Sequence, residues 1–218
     1  MSVATENFIK AIYQLDLAHS EDSKPGNIAK KLNITNAAAT DMAKKLASKG
    51  FLKYEKYKKL ELTEEGNKVA MNIVRKHRLW ESLLFQLFDM DYHDIHREAE
   101  LLEHETSDFL ANKISEYLGH PKYDPHGDPI PNEDGIITTE DNSVVMAIAE
   151  EGKEYTISRL ISDDKEFFDF CVANKLINGS KIKIEKQFSK TNMTQVVIEN
   201  NTLLLNQEFT NIIYVNEI

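Results

Sequence analysis

The segment PGNIAKKLNITNAAATDMAKKLASKGFLKYEKYKKLEL, residues 25–62, decides the fold of the N-terminal part of this chain. Pro25 suits the first turn of a helix, and Asn33 tolerates the left-handed conformation that a tight turn needs. Thr35 or Asn36 then caps a second helix. The segment therefore predicts two short helices joined by a turn.

The residues on either side of these two helices extend the pattern. Apolar residues at helical spacing predict another helix from Thr5 onward. After Gly50, residues 51–55 and 60–62 are typical of short strands, and residues 56–59 form a basic turn between them. Three helices followed by a basic hairpin indicate a winged helix-turn-helix, in which the second helix of the pair enters the major groove of DNA.

The second helix of the pair and the hairpin carry candidate DNA contacts. Small and polar residues at the start of the helix allow close approach to base edges, and the lysines can neutralise phosphates. The alternative is a three-helix core whose lysines are simply solvated. The candidates are Thr35, Asn36, Ala37, Thr40, Asp41, Lys44, Lys45, Lys56 and Lys58.

Charge is divided unevenly along the 218 residues, whose net charge is -10. Residues 1–72 hold 12 Lys against 9 acidic residues, a net of +3, whereas the rest holds 14 basic against 27 acidic residues. This division is typical of a protein with one end that meets a polyanion. The single cysteine, Cys171, excludes an internal disulfide and a cysteine-rich zinc site.

Two long helices are expected in the middle of the chain. Thr63 caps the first, which runs through Leu87, and the second runs from about Asp94 to Leu118 and stops at Gly119. Their broad apolar stripes predict a helical dimer interface. No apolar run approaches the roughly 20 residues of a membrane-spanning helix, and the N-terminus lacks a signal-peptide pattern, so we expect a cytoplasmic protein.

The remaining sequence predicts a linker and a β domain. Four of the five prolines fall between Gly119 and Pro131, and short β-rich runs follow from Val144. Asn178-Gly179 predicts a turn, and Asn200-Asn201 predicts a hairpin. The fold class is mainly α with a C-terminal β domain. The expected segments are 1–72 for the winged helix-turn-helix, 73–143 for the helical and linker domain, and 144–218 for a small β-barrel.

Histidine and glutamate recur at helical spacing on the two long helices. The six candidate metal ligands are His77, Glu81, His96, Glu100, Glu103 and His104. Oxygen and imidazole donors without thiolate favour Mn(II) or Fe(II), without excluding zinc or cobalt. Residues 124–128, DPHGD, add further donors. The alternative for that stretch is a turn whose acids face water.

With these residues in hand, the chain resembles the diphtheria toxin repressor family of iron- and manganese-dependent regulators over essentially its whole length. The resemblance implies a winged helix-turn-helix, a helical dimerisation and metal-binding domain, and a C-terminal domain like an SH3 barrel. The stretches that carry it are residues 6–13 (ENFIKAIY), 62–66 (LTEEG), 75–81 (RKHRLWE), 99–104 (AELLEH) and 126–131 (HGDPIP).

The resemblance implies a primary metal site at the positions of Glu103 and His104. The position of Glu100 holds Cys in iron-type members and Glu in manganese-type members, so the chain is similar to the manganese type there. Asn7 stands where relatives supply Asp or Met, and its neutral amide is a weaker donor. Lys10 stands where two-domain manganese regulators carry Glu, which argues against their dinuclear site.

The resemblance also offers two versions of a second metal site. One is an ancillary site of the family, matched by His77, Glu81 and His96. In some three-domain manganese regulators the second site instead lies near positions matching Glu81, Asp124, His126 and Asp163 or Asp164.

The resemblance further implies a metal-dependent repressor that controls metal-ion homeostasis, activated by Mn(II) with Fe(II) as the alternative. Its expected partners are a double-stranded DNA operator and a second copy of the chain, with no membrane and no small-molecule substrate. Asp41 stands where some relatives have Gln, so their operator sequence is not assumed. Two rival functions are a metallohydrolase that uses the His and Glu cluster to activate water, and a winged-helix regulator with vestigial metal sites.

Overall fold

The computed structural model describes residues 1–18, 23–139, 142–162 and 164–218. Within these residues, no helix is both long enough and apolar enough to cross a membrane. The helices are α1 (Val3–Ala18), α2 (Pro25–Lys31), α3 (Asn36–Ser48), α4 (Glu64–Phe88), α5 (Tyr92–Leu102), α6 (Asp108–Tyr117), a 3-10 turn (Met146–Ile148), α7 (Lys165–Ala173) and α8 (Gln207–Thr210). The strands are β1 (Leu52–Lys53), β2 (Glu61–Leu62), β3 (Val144–Val145), β4 (Glu154–Leu160), β5 (Lys181–Phe188), β6 (Met193–Ile198), β7 (Asn201–Asn206) and β8 (Ile213–Glu217).

These elements form two compact units, and three of the five boundaries between the units fall inside α4, α5 and α6. The predicted domain boundaries near residues 72 and 143 stay a prediction. The first unit comprises Met1–His77, Glu100–Lys113 and Pro131–Ile137, and the second comprises Arg78–Ala99, Ile114–Ile130 and Thr138–Ile218.

The first unit contains the expected winged helix-turn-helix. Pro25 is at the start of α2, Asn33 has a φ of 51°, and the Thr35 hydroxyl accepts a hydrogen bond from Ala38 N, which caps α3. The hairpin pairs two residues on each side, so its strands are shorter than predicted. The core of α1, α2, α3 and the hairpin is apolar throughout and is formed by Phe8, Ile9, Ile12, Ile28, Ala39, Ala43, Leu46, Leu52 and Leu60.

The second long helix predicted from the sequence is wrong, because the chain breaks between α5 and α6. The Thr106 hydroxyl donates to the carbonyl of Leu102 at 2.6 Å, and the Ser107 hydroxyl accepts from Leu110 N at 3.1 Å. Ser and Thr side chains that bond to nearby backbone groups compete with helix continuation and start new helices. Glu103 therefore lies just beyond α5 rather than on the same continuous helix as Glu100.

The second unit contains the predicted β domain, an antiparallel sheet in the order β3-β8-β4-β5-β6-β7. The hairpin between β6 and β7 is confirmed, but Ile198 pairs with Asn201, so its turn is Glu199-Asn200 and not Asn200-Asn201. Gly179 has a φ of 86°, as the predicted Asn178-Gly179 turn requires. The helix α7, which buries Phe167 and Phe168, was not predicted from the sequence.

Candidate metal centres and nucleic-acid interface

The first cluster of polar side chains lies in the first unit, between α1 and the residues that follow α5. Asn7 Oδ1, Glu103 Oε1 and His104 Nε2 are buried, and within the described residues none of these atoms has a hydrogen-bond partner. Glu103 Oε1 and His104 Nε2 are 3.3 Å apart. Because buried acceptors without donors are costly, this set of two oxygens and an imidazole nitrogen fits a divalent cation.

The orientation of His104 is determined by a carboxylate on α1. Glu6 Oε2 lies 2.7 Å from His104 Nδ1. An imidazole that donates from Nδ1 presents the lone pair of Nε2, the arrangement that carboxylates impose on metal-binding histidines. Glu6 was not among the sequence-based candidates. Its position one residue before Asn7 was the only local signal.

A buried ammonium group belongs to the same cluster. Lys10 Nζ lies 2.7 Å from Glu100 Oε1, 2.7 Å from Glu103 Oε2 and 3.2 Å from His77 Nδ1. His77 Nδ1 is also 2.6 Å from Glu103 Oε2. The first cluster therefore also contains Glu100 from the end of α5 and Lys10 from α1, together with His77, which the resemblance assigned to an ancillary site.

The second cluster lies in the second unit. Ligand atoms of Glu81, Asp124 and His126 all lie within 4.8 Å of one another, and the three residues are buried. His96 Nδ1 is 3.0 Å from Glu81 Oε1. The resemblance offered two versions of the second metal site. The structure brings together Glu81, Asp124 and His126, the set found in some three-domain manganese regulators, and His96 lies at the edge of this set.

Two groups of the second cluster, Asp124 and His126, have raised pKa values. Burial raises the pKa of the Asp124 carboxyl well above its usual value, and the charge of Glu81 raises it further. Burial alone would lower the pKa of His126, but the surrounding carboxylates, Glu81 foremost, outweigh it and raise the pKa to about 9. Protons therefore compete with a cation for the ligand atoms of these two residues, because both coordinate only in the deprotonated form.

The loop that carries Asp124 and His126 is fixed by Arg78. Arg78 Nε is 3.7 Å from Asp124 Oδ2, Nη2 is 3.4 Å from Asp128 Oδ1, and Nη1 donates to the carbonyl of Pro129. Asp128 N donates to Asp124 Oδ1 at 2.9 Å, which closes the turn. Asp124 is 4% exposed, so the alternative that this acid faces water is wrong.

The resemblance offers Asp163 or Asp164 as a further ligand of the second site. Asp163 lies outside the described residues. The Asp164 side chain is exposed and accepts a hydrogen bond from Glu166 N at 2.9 Å, which caps α7.

The candidate DNA contacts lie on the exposed side of α3 and on the hairpin. Thr40 is the exception, because it is half-buried and its hydroxyl donates to the carbonyl of Asn36 at 2.8 Å. Tyr57, between the hairpin lysines, is 83% exposed with the Lys56 ammonium 4.8 Å above its ring. The exposed candidates are Thr35, Asn36, Ala37, Asp41, Lys44, Lys45, Lys56 and Lys58.

Two protein-family profiles match the chain. The profile described as "Iron dependent repressor, N-terminal DNA binding domain" matches residues 1–60, and that described as "Iron dependent repressor, metal binding and dimerisation domain" matches residues 63–132. The chain therefore belongs to the iron-dependent repressor family, the one that its sequence resembles. Both descriptions are of a repressor and neither is of an enzyme, so the metallohydrolase alternative is rejected.

Individual relatives agree with this family. The iron-dependent repressor IdeR of Mycobacterium tuberculosis is 31% identical over 129 residues, which cover 58% of this chain and 55% of the relative. An HTH-type transcriptional regulator of Methanocaldococcus jannaschii is 33% identical over 118 residues, covering 54% of this chain and 94% of the relative. The chain thus spans about half the length of the mycobacterial relative and nearly all of the archaeal one.

A solved structure covers nearly the whole chain. A manganese-dependent transcriptional repressor in complex with manganese superimposes with a TM-score of 0.91 at 26% identity, covering 98% of this chain and 100% of the other. The fold of α helices followed by an antiparallel β domain is therefore that of a solved member of this class of repressor.

Proposed function

We propose that this protein is a cytoplasmic, metal-activated transcriptional repressor that binds a double-stranded DNA operator as a homodimer and controls metal-ion homeostasis. Mn(II) is the proposed activator, with Fe(II) as the alternative. The observation that carries the proposal is the position of α1. This helix contacts α3, which carries the candidate DNA contacts, and it also provides Asn7 to the cluster of acceptors that have no donors.

The proposed ligands of the first site are Asn7, Glu100, Glu103 and His104. When bound there, a divalent cation supplies the positive charge that these buried acceptors need. Glu6 holds His104 with Nε2 turned away from the bonded Nδ1, and Lys10 holds Glu100 and Glu103 close to α1. Residues of α1 therefore contact Glu100, Glu103 and His104 at the proposed first metal site.

The position of α1 limits the positions that α3 can take. Phe8 and Ile12 of α1 are 1% and 0% exposed and belong to the same core as Ala43 and Leu46 of α3. Because cores of this kind are packed at crystal-like density, a shift of α1 displaces α3. We propose that activation narrows the range of α1 positions to the one that presents α3 to the major groove, which is allosteric coupling in the thermodynamic sense.

The choice of metal follows from the donors. Both clusters offer oxygen and imidazole without thiolate, which suits Mn(II) and Fe(II). Glu100 and the manganese complex of the similar repressor support Mn(II). The second proposed site consists of Glu81, Asp124 and His126, with His96 at its edge.

Dimerisation is proposed from the family description and from exposed apolar side chains. Leu101 and Phe109 of the first unit are 66% and 73% exposed. Large apolar side chains in water favour burial against a partner. In a two-fold dimer the two copies of α3 would reach successive major grooves if they lay about 34 Å apart, or a multiple of that distance.

The test is a gel shift with fragments of the host genome, titrated with Mn(II) or with a chelator. We expect the wild type to bind selected fragments only with Mn(II), and Glu103→Ala and His104→Ala to lose this dependence while keeping a native circular-dichroism spectrum. His120→Ala, which changes an exposed histidine outside both clusters, is the matched control and should behave as wild type. Binding that ignores the chelator would instead support a regulator with vestigial metal sites.

A further inference from the structure

We propose that Lys10 acts as an internal cation that sets the metal threshold of the first cluster: it holds Glu100 and Glu103 when no metal is present, and it weakens metal binding through its charge. This inference rests on the proposed function, because it concerns the affinity of the proposed first site.

The first argument is burial. The Lys10 side chain is 5% exposed and that of Glu103 is 0% exposed. Lysine is rarely buried to this extent unless it is paired, because an isolated ammonium loses its hydration. Lys10 is paired on three sides, with Glu100, Glu103 and His77. It is therefore an integral part of the cluster and not a surface lysine that folds over it.

The second argument is which carboxylate oxygens Lys10 contacts. Lys10 lies against Glu103 Oε2, whereas the buried oxygen without a partner is Glu103 Oε1, on the side of His104. Lysine and metal can therefore share the carboxylate through different oxygens. The ammonium does not need to leave, so its influence on metal binding acts mainly through charge.

The third argument is the charge balance. Glu6, Glu100 and Glu103 bring three negative charges to the cluster, Asn7 is neutral, and Lys10 cancels one of the three. Like charges in a buried region repel strongly because water does not screen them there. A divalent cation beside Lys10 therefore binds less tightly than it would beside a neutral residue of the same length.

The consequence is a regulator that needs a higher metal concentration for activation than it would need without the charge of Lys10. Without Lys10, the two carboxylates would be held less firmly in the metal-free protein but would attract a cation more strongly. Lys10→Met keeps the length and removes the charge. Lys10→Arg keeps the charge and serves as the matched control.

The test measures Mn(II) affinity by the electron paramagnetic resonance signal of free Mn(II), for each protein and for its His104→Ala counterpart. The difference in Mn(II) affinity between each protein and its His104→Ala counterpart reports binding at the first cluster. We expect Lys10→Met to bind Mn(II) at least tenfold more tightly than wild type, and Lys10→Arg to stay within threefold. Thermal unfolding in chelator provides a second readout, in which Lys10→Met unfolds at a lower temperature than wild type and gains more from added Mn(II).

The outcomes separate the two proposals. If wild type shows no His104-dependent Mn(II) binding, the first site itself is wrong and the role of Lys10 falls with it. If wild type binds but Lys10→Met binds equally or more weakly, the proposed function stands and the inference about Lys10 is overturned. If Lys10→Met does not fold in chelator, Lys10→Gln, neutral but able to donate a hydrogen bond, replaces it with the same expectation.

Discussion

Glu6 and His104 are 98 positions apart in the sequence, yet Glu6 Oε2 lies 2.7 Å from His104 Nδ1. The contact joins the first turns of α1 to the residue pair Glu103-His104 beyond α5. It also determines which imidazole nitrogen is available to a ligand, because the nitrogen that is hydrogen-bonded to Glu6 cannot coordinate. Glu6 therefore acts on the first cluster through His104 rather than as a ligand itself.

Replacing Glu6 should weaken metal binding without unfolding the protein. Glu6→Ala removes the partner of His104 Nδ1, and loss of such a supporting carboxylate costs about 10- to 100-fold in metal affinity. Glu6→Gln retains an oxygen acceptor and should lose less. The measurement is the Mn(II) dissociation constant from isothermal titration calorimetry. Equal affinities for Glu6→Ala and wild type would show that His104 is positioned by other contacts.

The start of the helix that carries the candidate DNA contacts depends on one side chain. Thr35 Oγ1 accepts a hydrogen bond from Ala38 N at 3.1 Å, and Thr35→Ala should lower the free energy of unfolding by about 1 kcal/mol. Ser48 also bonds to the backbone of α3, but at its other end, where its hydroxyl donates to Lys45 O. Ser48→Ala is therefore the control, with an expected change below about 0.5 kcal/mol in urea denaturation.

These caps show what local sequence can predict. Pro25, Thr35 and Thr63 begin helices as expected, because each acts on backbone groups within three residues of itself. The break after Leu102 also depends on local signals. It was not predicted because the His and Glu residues at helical spacing indicated a continuous helix, whereas the Thr106 hydroxyl bonds to the carbonyl of Leu102 at the end of α5.

The candidate site was predictable only in part. The spacing of Glu100, Glu103 and His104 was visible in the sequence, because these residues are neighbours. The contacts of Lys10 join residues 67, 90 and 93 positions apart, and no periodicity reports such distances. The buried state of Asp124 likewise depends on a turn held by a distant arginine, which the sequence does not reveal.

Lysines of α3 should contribute to DNA affinity through charge alone. Lys44 and Lys45 are exposed, and the double change Lys44→Ala and Lys45→Ala should reduce affinity for all fragments similarly. If each lysine neutralises one phosphate, the slope of log affinity against log salt should fall by about 2. The control is Lys186→Ala with Lys190→Ala in the β domain. A loss restricted to some sequences would mean that Lys44 or Lys45 reads bases.

Arg78 should matter more for stability than an exposed arginine of the same unit. Arg78→Met removes the ion pair with Asp128 and the hydrogen bond to the carbonyl of Pro129, and a hydrogen bond that involves a charged group contributes about 1.5 to 3 kcal/mol. We expect the free energy of unfolding to fall by at least about 1.5 kcal/mol. Arg97, whose side chain is 59% exposed and which pairs with Asp94 and Glu98, provides the control. Arg97→Met should change stability by less than about 0.5 kcal/mol.

A change at Arg78 should also separate the two proposed metal sites. The turn at residues 124–128 carries both Asp124 and His126. Without the contacts of Arg78 this turn would be less ordered, and metal binding would then have to order it so that both residues lie beside Glu81. Arg78→Met also removes a positive charge 3.7 Å from Asp124 Oδ2, a loss which by itself favours a cation, so the variant for this measurement is Arg78→Lys, which keeps the charge but loses the guanidinium contacts. Arg78→Lys should weaken Mn(II) binding at the second cluster by about tenfold or more, in the range seen when supporting contacts of metal ligands are lost. The first cluster, assayed by its dependence on His104, should keep its affinity. An equal loss at both sites would mean that Arg78 supports the whole protein rather than this turn.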